Sequence, residues 1–316
     1  MRTVVGALGR VFLTAGILIL LFVAYQLWGT NLYTAREQDQ LEQQFEEALR
    51  EADTPGSATT TSGPTTTTVP GTPASSTTTT TTEPEEPPPP PPPDGEAVAR
   101  IRIPKIGVDS IVVNGVSRED LRKGPGHYPD TPMPGQEGNA AIAGHRTTYG
   151  APFGDLDQLE PGDLIEVRTL QGSFEYRVRE QLVVRPSDIQ VIDPIPINPD
   201  DPSEGYKATL TLTTCNPKYS AAQRLVIQAD LSRGDPFPAP DIVQDATITE
   251  EGLSGEEGSR IPALIAGIVA AVIGLLWWLL FHRHPRWTSW IIGAIPFAVA
   301  LFVFYVFLER VLPANY

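Results

Sequence analysis

The stretch Thr209-Leu-Thr-Leu-Thr-Thr-Cys-Asn-Pro217 decides the fold. Its β-branched residues favour a strand that ends at Cys215, immediately before an Asn-Pro turn. Nine residues after the cysteine, Arg224 opens a second apolar stretch, Leu225-Val-Ile-Gln-Ala229. Consecutive strands usually pair, so we expect the thiol and the guanidinium to lie side by side at one rim of a sheet.

Similar short strand patterns fill the part of the chain around this stretch, from residue 98 to residue 235. Polar and apolar residues alternate there over short intervals that are separated by Gly and Pro. Together with the two strands at the cysteine, the candidates make about eight strands and leave room only for brief helical turns. The sequence therefore predicts an all-β fold, a closed eight-stranded β-barrel with short helices. The other candidate strands cover residues 99–103, 110–113, 140–143, 164–168, 174–178 and 182–184.

Three long apolar runs lie outside the barrel, at residues 11–28, 261–281 and 291–308. Each is long enough to cross ~30 Å of hydrocarbon as a helix, so we expect three transmembrane helices. The first run follows Arg2 and Arg10 and lacks a small-x-small cleavage site, which is typical of an uncleaved signal anchor with a cytoplasmic amino end. The basic turn at 282–287 is also predicted to be cytoplasmic by the positive-inside rule. Together these features predict a multi-pass plasma-membrane protein whose barrel is extracellular.

The segment between the first apolar run and the barrel has two parts. Leu41, Phe45 and Leu49 recur at helical spacing, which predicts a short juxtamembrane helix ending near Asp53. Residues 54–94 are mostly Thr, Ser, Pro and Gly, which cannot bury enough apolar surface to fold. As polyproline II, such a stalk could reach on the order of 100 Å from the membrane; a tether without a tuned length is the alternative.

The predicted domain organisation follows from these boundaries. Seven segments are expected: 1–30, cytoplasmic amino terminus and signal anchor; 31–97, juxtamembrane helix and disordered stalk; 98–235, β-barrel; 236–260, acidic linker; 261–281, second transmembrane helix; 282–290, cytoplasmic turn; 291–316, third transmembrane helix and short external tail.

The net charge of −15 comes largely from the linkers and not from the barrel. Residues 98–235 hold nineteen acidic against fifteen basic side chains, and no basic stripe that could follow phosphates is present, so nucleic-acid binding is not expected. The single cysteine cannot form an intramolecular disulfide, and an exported thiol of this kind indicates reactivity. The alternative is that Cys215 is only a small buried apolar residue.

A cysteine nucleophile needs an acid/base partner, and histidine is the side chain whose charge changes near neutral pH. Of the four histidines, only His127 and His145 lie outside the apolar runs and the turn between them. His145 ends the apolar strand pattern at 140–143 within an Ala-Gly-His-Arg turn, whereas His127 lies in a Gly-Pro-Gly-His-Tyr-Pro loop. His145 is therefore the preferred partner, although a structural role is open for any one strand-end histidine.

Three ordered motifs resemble the sortase family, and within it the actinobacterial class E enzymes. Thr-Leu-Thr-Thr-Cys at 211–215, with Arg224 downstream, is similar to the family's Thr-Leu-x-Thr-Cys pattern. Ala-Gly-His-Arg-Thr-Thr-Tyr at 143–149 carries the family's histidine, and Gly-Pro-Gly-His-Tyr-Pro at 124–129 resembles the class E form. The resemblance covers about residues 98–235.

The resemblance implies a membrane-anchored cysteine transpeptidase. Cys215 would attack the Thr carbonyl of a Leu-Ala/Pro-x-Thr-Gly type sorting motif near the carboxyl end of a secreted protein, Arg224 would stabilise the oxyanion, and His145 would protonate the leaving Gly amine. An amino group on a peptidoglycan precursor would then resolve the thioester. Tyr128 and Thr214 are the candidate substrate-binding residues, and no cofactor or metal is expected. The acidic stretch at 193–204 is interpreted as a solvated specificity loop, with calcium binding as the alternative.

Other functions are open at this point. The enzyme could polymerise pilins, or it could be a cysteine protease or a peptidoglycan transpeptidase of another fold. A non-catalytic wall scaffold tethered to the membrane is the non-enzymatic alternative, for which Cys215 should react sluggishly and independently of His145.

Overall fold

The structure, a computed structural model, describes residues 13–14, 16–52, 93–238, 260–281 and 287–311. Most of the predicted stalk at 54–94, most of the acidic linker and residues 282–286 of the basic turn lie outside these residues. The strands are β1 (Ala97–Ile103), β2 (Val108–Asn114), β3 (Gly126–His127), β4 (Asn139–Ala143), β5 (Leu164–Thr169), β6 (Gly172–Val184), β7 (Thr209–Asn216) and β8 (Gln223–Arg233). The α-helices are α1 (Thr30–Ala52), α2 (Arg118–Lys123), α3 (Arg260–Phe281) and α4 (Trp287–Val311).

The eight strands close into a barrel in the order β1-β2-β3-β4-β7-β8-β6-β5. Side chains alternate along each strand, so every second residue faces the interior. Leu210 and Leu212 of β7 and Leu225 and Ile227 of β8 belong to the buried apolar core. The residues between them consequently face outward, and this alternation places Cys215 and Arg224 on the outer face. The predicted all-β closed barrel is confirmed.

Two of the predicted strands differ from those in the structure. The separate strands expected at 174–178 and 182–184 are one continuous strand, β6, which pairs with β8 along most of its length. Polar Arg179 and Glu180 interrupt the apolar pattern where the β6–β8 register shifts, and this interruption suggested two strands. The strand missed was β3, only two residues long, which bridges β2 and β4.

Helix α1 is longer than expected and packs on the barrel. Leu41 and Phe45 are buried at 4% and 3% exposure against Ile111 and Val113 of β2. The side-chain amide of Gln38 pairs with the backbone of Ile111, accepting from its N–H at 2.7 Å and donating to its carbonyl at 3.0 Å. Burying each apolar side chain stabilises the docked helix by about 1.5–3 kcal/mol. The helix is therefore part of the barrel domain.

The apolar segments at both ends of the chain also pack together. Residues 16–24 are helical, and Tyr305 of α4 donates to the carbonyl of Leu18 at 2.7 Å. Helix α3 faces α4 through Gly267, where a Cβ would lie 3.0 Å from the ring of Phe304, a close approach of the kind small residues allow. Among the described residues, one helix, Ile261–Leu280, is long and apolar enough to cross a membrane, and Gly293–Leu308 is a shorter apolar helix. The three predicted membrane spans remain a prediction.

Candidate active site

Cys215 and Arg224 form a cross-strand pair at one end of the barrel. They are register partners in the antiparallel β7–β8 ladder, as expected from the sequence. Arg224 Nη1 lies 3.7 Å from Cys215 Sγ and also donates to the carbonyls of Ala221 and Gln223 at 3.2 and 3.3 Å. These backbone contacts hold the guanidinium beside the sulfur, so a cation is fixed next to the candidate nucleophile.

The electrostatic environment of Cys215 contains two opposing influences. Burial raises the pKa of the thiol because it disfavours the thiolate, while the positive charges of Arg224 and Arg146 lower it. Burial dominates, and the pKa lies above its usual value. The thiol is therefore mostly protonated at neutral pH, and only a minor population is the reactive thiolate.

His145 reaches this end of the barrel from the neighbouring strand. Strand β4 runs parallel to β7 with Ala143 opposite Thr213, so the turn that follows β4 lies beside the end of β7. We call residues 144–153 the His145 loop; it is closed by a hydrogen bond from Phe153 N–H to the carbonyl of His145 at 3.1 Å. The imidazole is buried, and its Nδ1 lies 3.4 Å from the hydroxyl of Thr148.

Arg146 is a site residue that the sequence analysis did not single out. Its Nη1 donates to the carbonyl of Cys215 and to Asn216 Oδ1, both at 2.9 Å. Its Nη2 forms an ion pair with Asp157 at 3.1 Å, and its side chain is only 5% exposed. Arg146 therefore ties the His145 loop to the end of β7, holding the two halves of the site together. In the sequence, the position of Arg146 directly after His145 was the one feature that could have indicated this role.

The charge of Arg146 gives a measurable prediction for the thiol. Replacing Arg146 with Met removes one of the two cations that lower the pKa of Cys215, so this pKa is expected to rise further. The pH dependence of Cys215 alkylation by iodoacetamide, followed by intact mass, should shift to higher pH, with several-fold slower alkylation near neutral pH. Lys218→Met is the control, because Lys218 pairs with Asp155 in the same region but is half exposed. An unchanged alkylation profile in Arg146→Met would contradict this electrostatic coupling.

Tyr128 and Thr214 occupy different sides of strand β7. The hydroxyl of Tyr128 lies 3.3 Å from that of Thr213, which shares the outer face with Cys215. Burial raises the pKa of Tyr128 and outweighs the lowering by the hydrogen bond to Thr213 and by the positive charge of Arg224. Thr214 alternates with Thr213 and Cys215, so its side chain faces the barrel interior. Its hydroxyl donates to the carbonyl of Gly144 at 2.7 Å. The structure thus brings Tyr128 to the outer face of the site and places Thr214 beneath it.

Comparison with known proteins identifies the family. The family described as "Sortase domain" matches residues 101–232. Sortase E1 of Streptomyces coelicolor, solved with a tripeptide in its active site, is 35% identical; the match covers 45% of this chain and 91% of that one, with a TM-score of 0.40. The chain belongs to the sortase family. The enzyme class of that family, cysteine transpeptidase, is the one predicted from the sequence.

Curated relatives point to class E sortases. SrtE1 of S. coelicolor is 32% identical over 233 residues, which are 70% of this chain and 55% of that protein. SrtE2 of the same organism is 26% identical over 252 residues, covering 75% of this chain and 88% of that protein. This chain therefore spans little more than half the length of SrtE1.

The connection between β6 and β7 (residues 185–208) covers part of the same outer face of this sortase. The carbonyl of Val191 accepts from Asn139 Nδ2 at 3.2 Å and from Gln228 Nε2 at 3.1 Å. These contacts anchor the connection to β4 and β8 on either side of β7. Within the described residues, no group of three or more His, Cys, Asp or Glu side chains could hold a metal ion.

His127 has a structural environment. It lies in β3, not in the loop expected from the sequence, and its Nε2 lies 2.9 Å from the carbonyl of Pro132. Burial lowers its pKa to about 4, so the ring is neutral at physiological pH. A neutral histidine that donates to a backbone carbonyl stabilises the fold, which leaves His145 as the candidate acid/base.

Proposed function

We propose that this sortase is a membrane-anchored cysteine transpeptidase. It cleaves a Leu-Ala/Pro-x-Thr-Gly type motif between Thr and Gly and transfers the protein to an amine of a cell-wall precursor. The observation that carries the proposal is the cross-strand pairing of Cys215 with Arg224, next to the loop that bears His145. A nucleophile, a cation and an acid/base group on adjoining strand ends are the parts that acyl transfer requires.

The reaction proceeds in two steps, formation of a thioester and its resolution by an amine. In the first, the Cys215 thiolate attacks the Thr carbonyl carbon, Arg224 stabilises the oxyanion, and protonated His145 gives its proton to the departing Gly amine as the C–N bond breaks. In the second, neutral His145 takes a proton from the incoming amine, which attacks the thioester. The C–S bond then breaks and the thiolate is restored with a new amide bond.

Substrate binding is assigned to the outer face of β7. Tyr128 and the 185–208 connection lie on this face and would form the walls of a groove for the sorting motif. Thr214, from the interior side, holds the end of β7 to the His145 loop through its bond to Gly144. Its proposed contribution is to place Cys215, whereas Tyr128 would contact the peptide.

Product analysis tests this proposal. The full-length protein in detergent would be incubated with Leu-Ala-x-Thr-Gly and Leu-Pro-x-Thr-Gly peptides and candidate amines, and the products identified by mass spectrometry. We expect a product that ends at Thr and carries the amine, and no such product from a peptide with Thr and Gly exchanged. Cleavage at another bond, or exclusively hydrolytic products at high amine concentration, would contradict the transpeptidase assignment.

The proposed topology places residues 31–260 and the tail after residue 308 outside, with the basic turn in the cytoplasm. We expect Arg283→Cys in a Cys215→Ala background to resist a membrane-impermeant maleimide in intact cells and to react after permeabilisation. Asp245→Cys, in the acidic linker, should react in intact cells and serves as the control. Labelling of position 283 in intact cells would contradict this topology.

A further inference from the structure

The polypeptide between the amino-terminal apolar segment and the barrel takes an unexpected path. Residues 16–24 continue through a π-helical turn, Tyr25–Gly29, into α1 without leaving helical geometry, since Ala24 and Thr30 both have right-handed helical dihedral angles. The apolar segment and α1 therefore form one uninterrupted helix. Helix α1 then lies against the barrel, so no flexible segment separates the barrel from the apolar helix.

The described residues on either side of the predicted stalk lie at the same place on the domain. Leu49, near the end of α1, and Ala97, at the start of β1, pack against one hydrophobic cluster. The two described ends that flank residues 53–92 therefore lie at one place on the domain. Because α1 joins the apolar helix to the barrel directly, the length of the predicted stalk does not set the distance between barrel and membrane.

The first turn of α1 contacts the His145 loop. Thr30 Oγ1 accepts from Tyr149 N–H at 3.3 Å, and Asn31 Oδ1 accepts from Gly150 N–H at 2.9 Å. The Tyr149 ring lies 5.0 Å from that of His145, centroid to centroid, at an interplanar angle of 35°. Tyr149 also has a left-handed backbone with φ of 52°, a conformation that costs energy for a bulky residue and needs support from its surroundings.

Further contacts fix α1 in this position. Thr34 Oγ1 donates to the carbonyl of Arg122 at 2.8 Å, and the Arg122 guanidinium lies 5.7 Å from the centre of the Tyr149 ring, a cation–π distance. Gln38 Nε2 donates to the carbonyl of Lys123 at 2.9 Å. A Cβ on Gly124 would collide with Gln38, so this close fit requires glycine there.

We propose that α1 is a rigid arm that holds the catalytic centre at the membrane surface, with its first turn positioning the His145 loop. The inference rests on the proposed membrane anchoring and on the proposed role of His145. Thr30 lies two residues after the apolar run, about 3 Å along a helix, in contrast to the ~100 Å that an extended stalk would give.

The positioning role is tested by Thr30→Val combined with Asn31→Ala in the full-length protein. Misplacing an acid/base group by about 1 Å can cost on the order of 10²-fold, so we expect kcat for acyl-enzyme formation to fall ten- to hundredfold with little change in KM. The limb of the kcat–pH profile that reports His145 should shift as well. Thr30→Ser with native Asn31 keeps the hydroxyl and should retain activity. Gln44→Ala, exposed on the same helix, is the matched control. Normal kcat and an unshifted pH profile in the double variant would overturn the positioning role.

The membrane distance is tested by energy transfer in nanodiscs, with the full-length Cys215→Ala protein so that activity plays no part. A dye is placed on Tyr219→Cys, just beyond Cys215, or on Asp235→Cys, beyond the other end of β8. Tyr219 is 78% exposed, and the eleven residues of β8 span roughly 35 Å. Acceptors are on the lipid headgroups. A second pair of proteins has residues 56–90 replaced by about a dozen Gly and Ser residues.

We expect stronger transfer from position 219 than from position 235, and the same transfer in the proteins with the shortened 56–90 segment. Weak transfer from both positions that rises when this segment is shortened would contradict the proposed arm. It would support a barrel held away from the membrane by the stalk. Equal transfer from both positions would overturn the orientation. A protein that is not retained in nanodiscs would contradict the proposed membrane anchoring, and this inference with it, while leaving the catalytic assignment intact.

Discussion

Replacing Cys215 with alanine is expected to abolish both hydrolysis and transpeptidation of sorting peptides. Cys215 is the only cysteine in the chain, so no other thiol can form the acyl-enzyme. Serine at this position should also be inactive, because an alkoxide is far harder to form than a thiolate beside the same Arg224. Product formation would be followed by mass spectrometry at long incubation times.

The fold of the Cys215→Ala variant provides the control. Cys215 is 1% exposed and lies at the end of β7, where a slightly smaller apolar side chain disturbs the barrel little. The melting temperature should therefore stay within a few degrees of the native protein's, so that loss of activity reports chemistry. A covalent peptide adduct on the alanine variant would contradict the nucleophile assignment.

Replacing Arg224 with lysine is expected to lower turnover by ~10²- to 10³-fold, the usual cost of losing one oxyanion donor. Lysine keeps the charge but loses the planar fork that donates to the carbonyls of Ala221 and Gln223 and lies beside the sulfur. The rate of acyl-enzyme formation and the melting temperature would be measured on the same preparation.

Arg179→Lys is the matched control for Arg224→Lys. Arg179 forms ion pairs with Glu180 and Asp230 on the β6–β8 face, so its replacement perturbs a structural arginine near the same strand. We expect a small loss of thermal stability and normal turnover in this control. If Arg224→Lys behaves in the same way, destabilised but catalytically competent, Arg224 is structural and the oxyanion assignment is wrong.

The central part of the fold could be predicted from the sequence because its determinants are local. Strands β7 and β8 are consecutive, strongly patterned and separated by a short connection, so their pairing and the meeting of Cys215 with Arg224 followed directly. Strand β3 could not be predicted, because a two-residue strand has no periodicity and exists only through its partners β2 and β4.

The missed parts of the site depend on contacts between residues far apart in sequence. The helical pattern of Leu41 and Phe45 predicted a helix, but nothing local indicated that Gln38 would pair with the backbone of Ile111. Arg146 could have been an ordinary solvated arginine after His145. Its burial arises only when the His145 loop meets the end of β7 and Asp157 supplies the counter-charge.

The measurement that tests the central claim most directly is the intact mass of the full-length protein mixed with a Leu-Ala-x-Thr-Gly peptide in the absence of an amine. We expect an adduct with the mass of the peptide fragment ending at Thr, mapped to Cys215 and released by hydroxylamine as a thioester requires. Addition of the acceptor amine should remove the adduct and yield the joined product. An adduct on another residue, or product formation while Cys215 is fully blocked by alkylation, would contradict the assignment of Cys215 as the nucleophile.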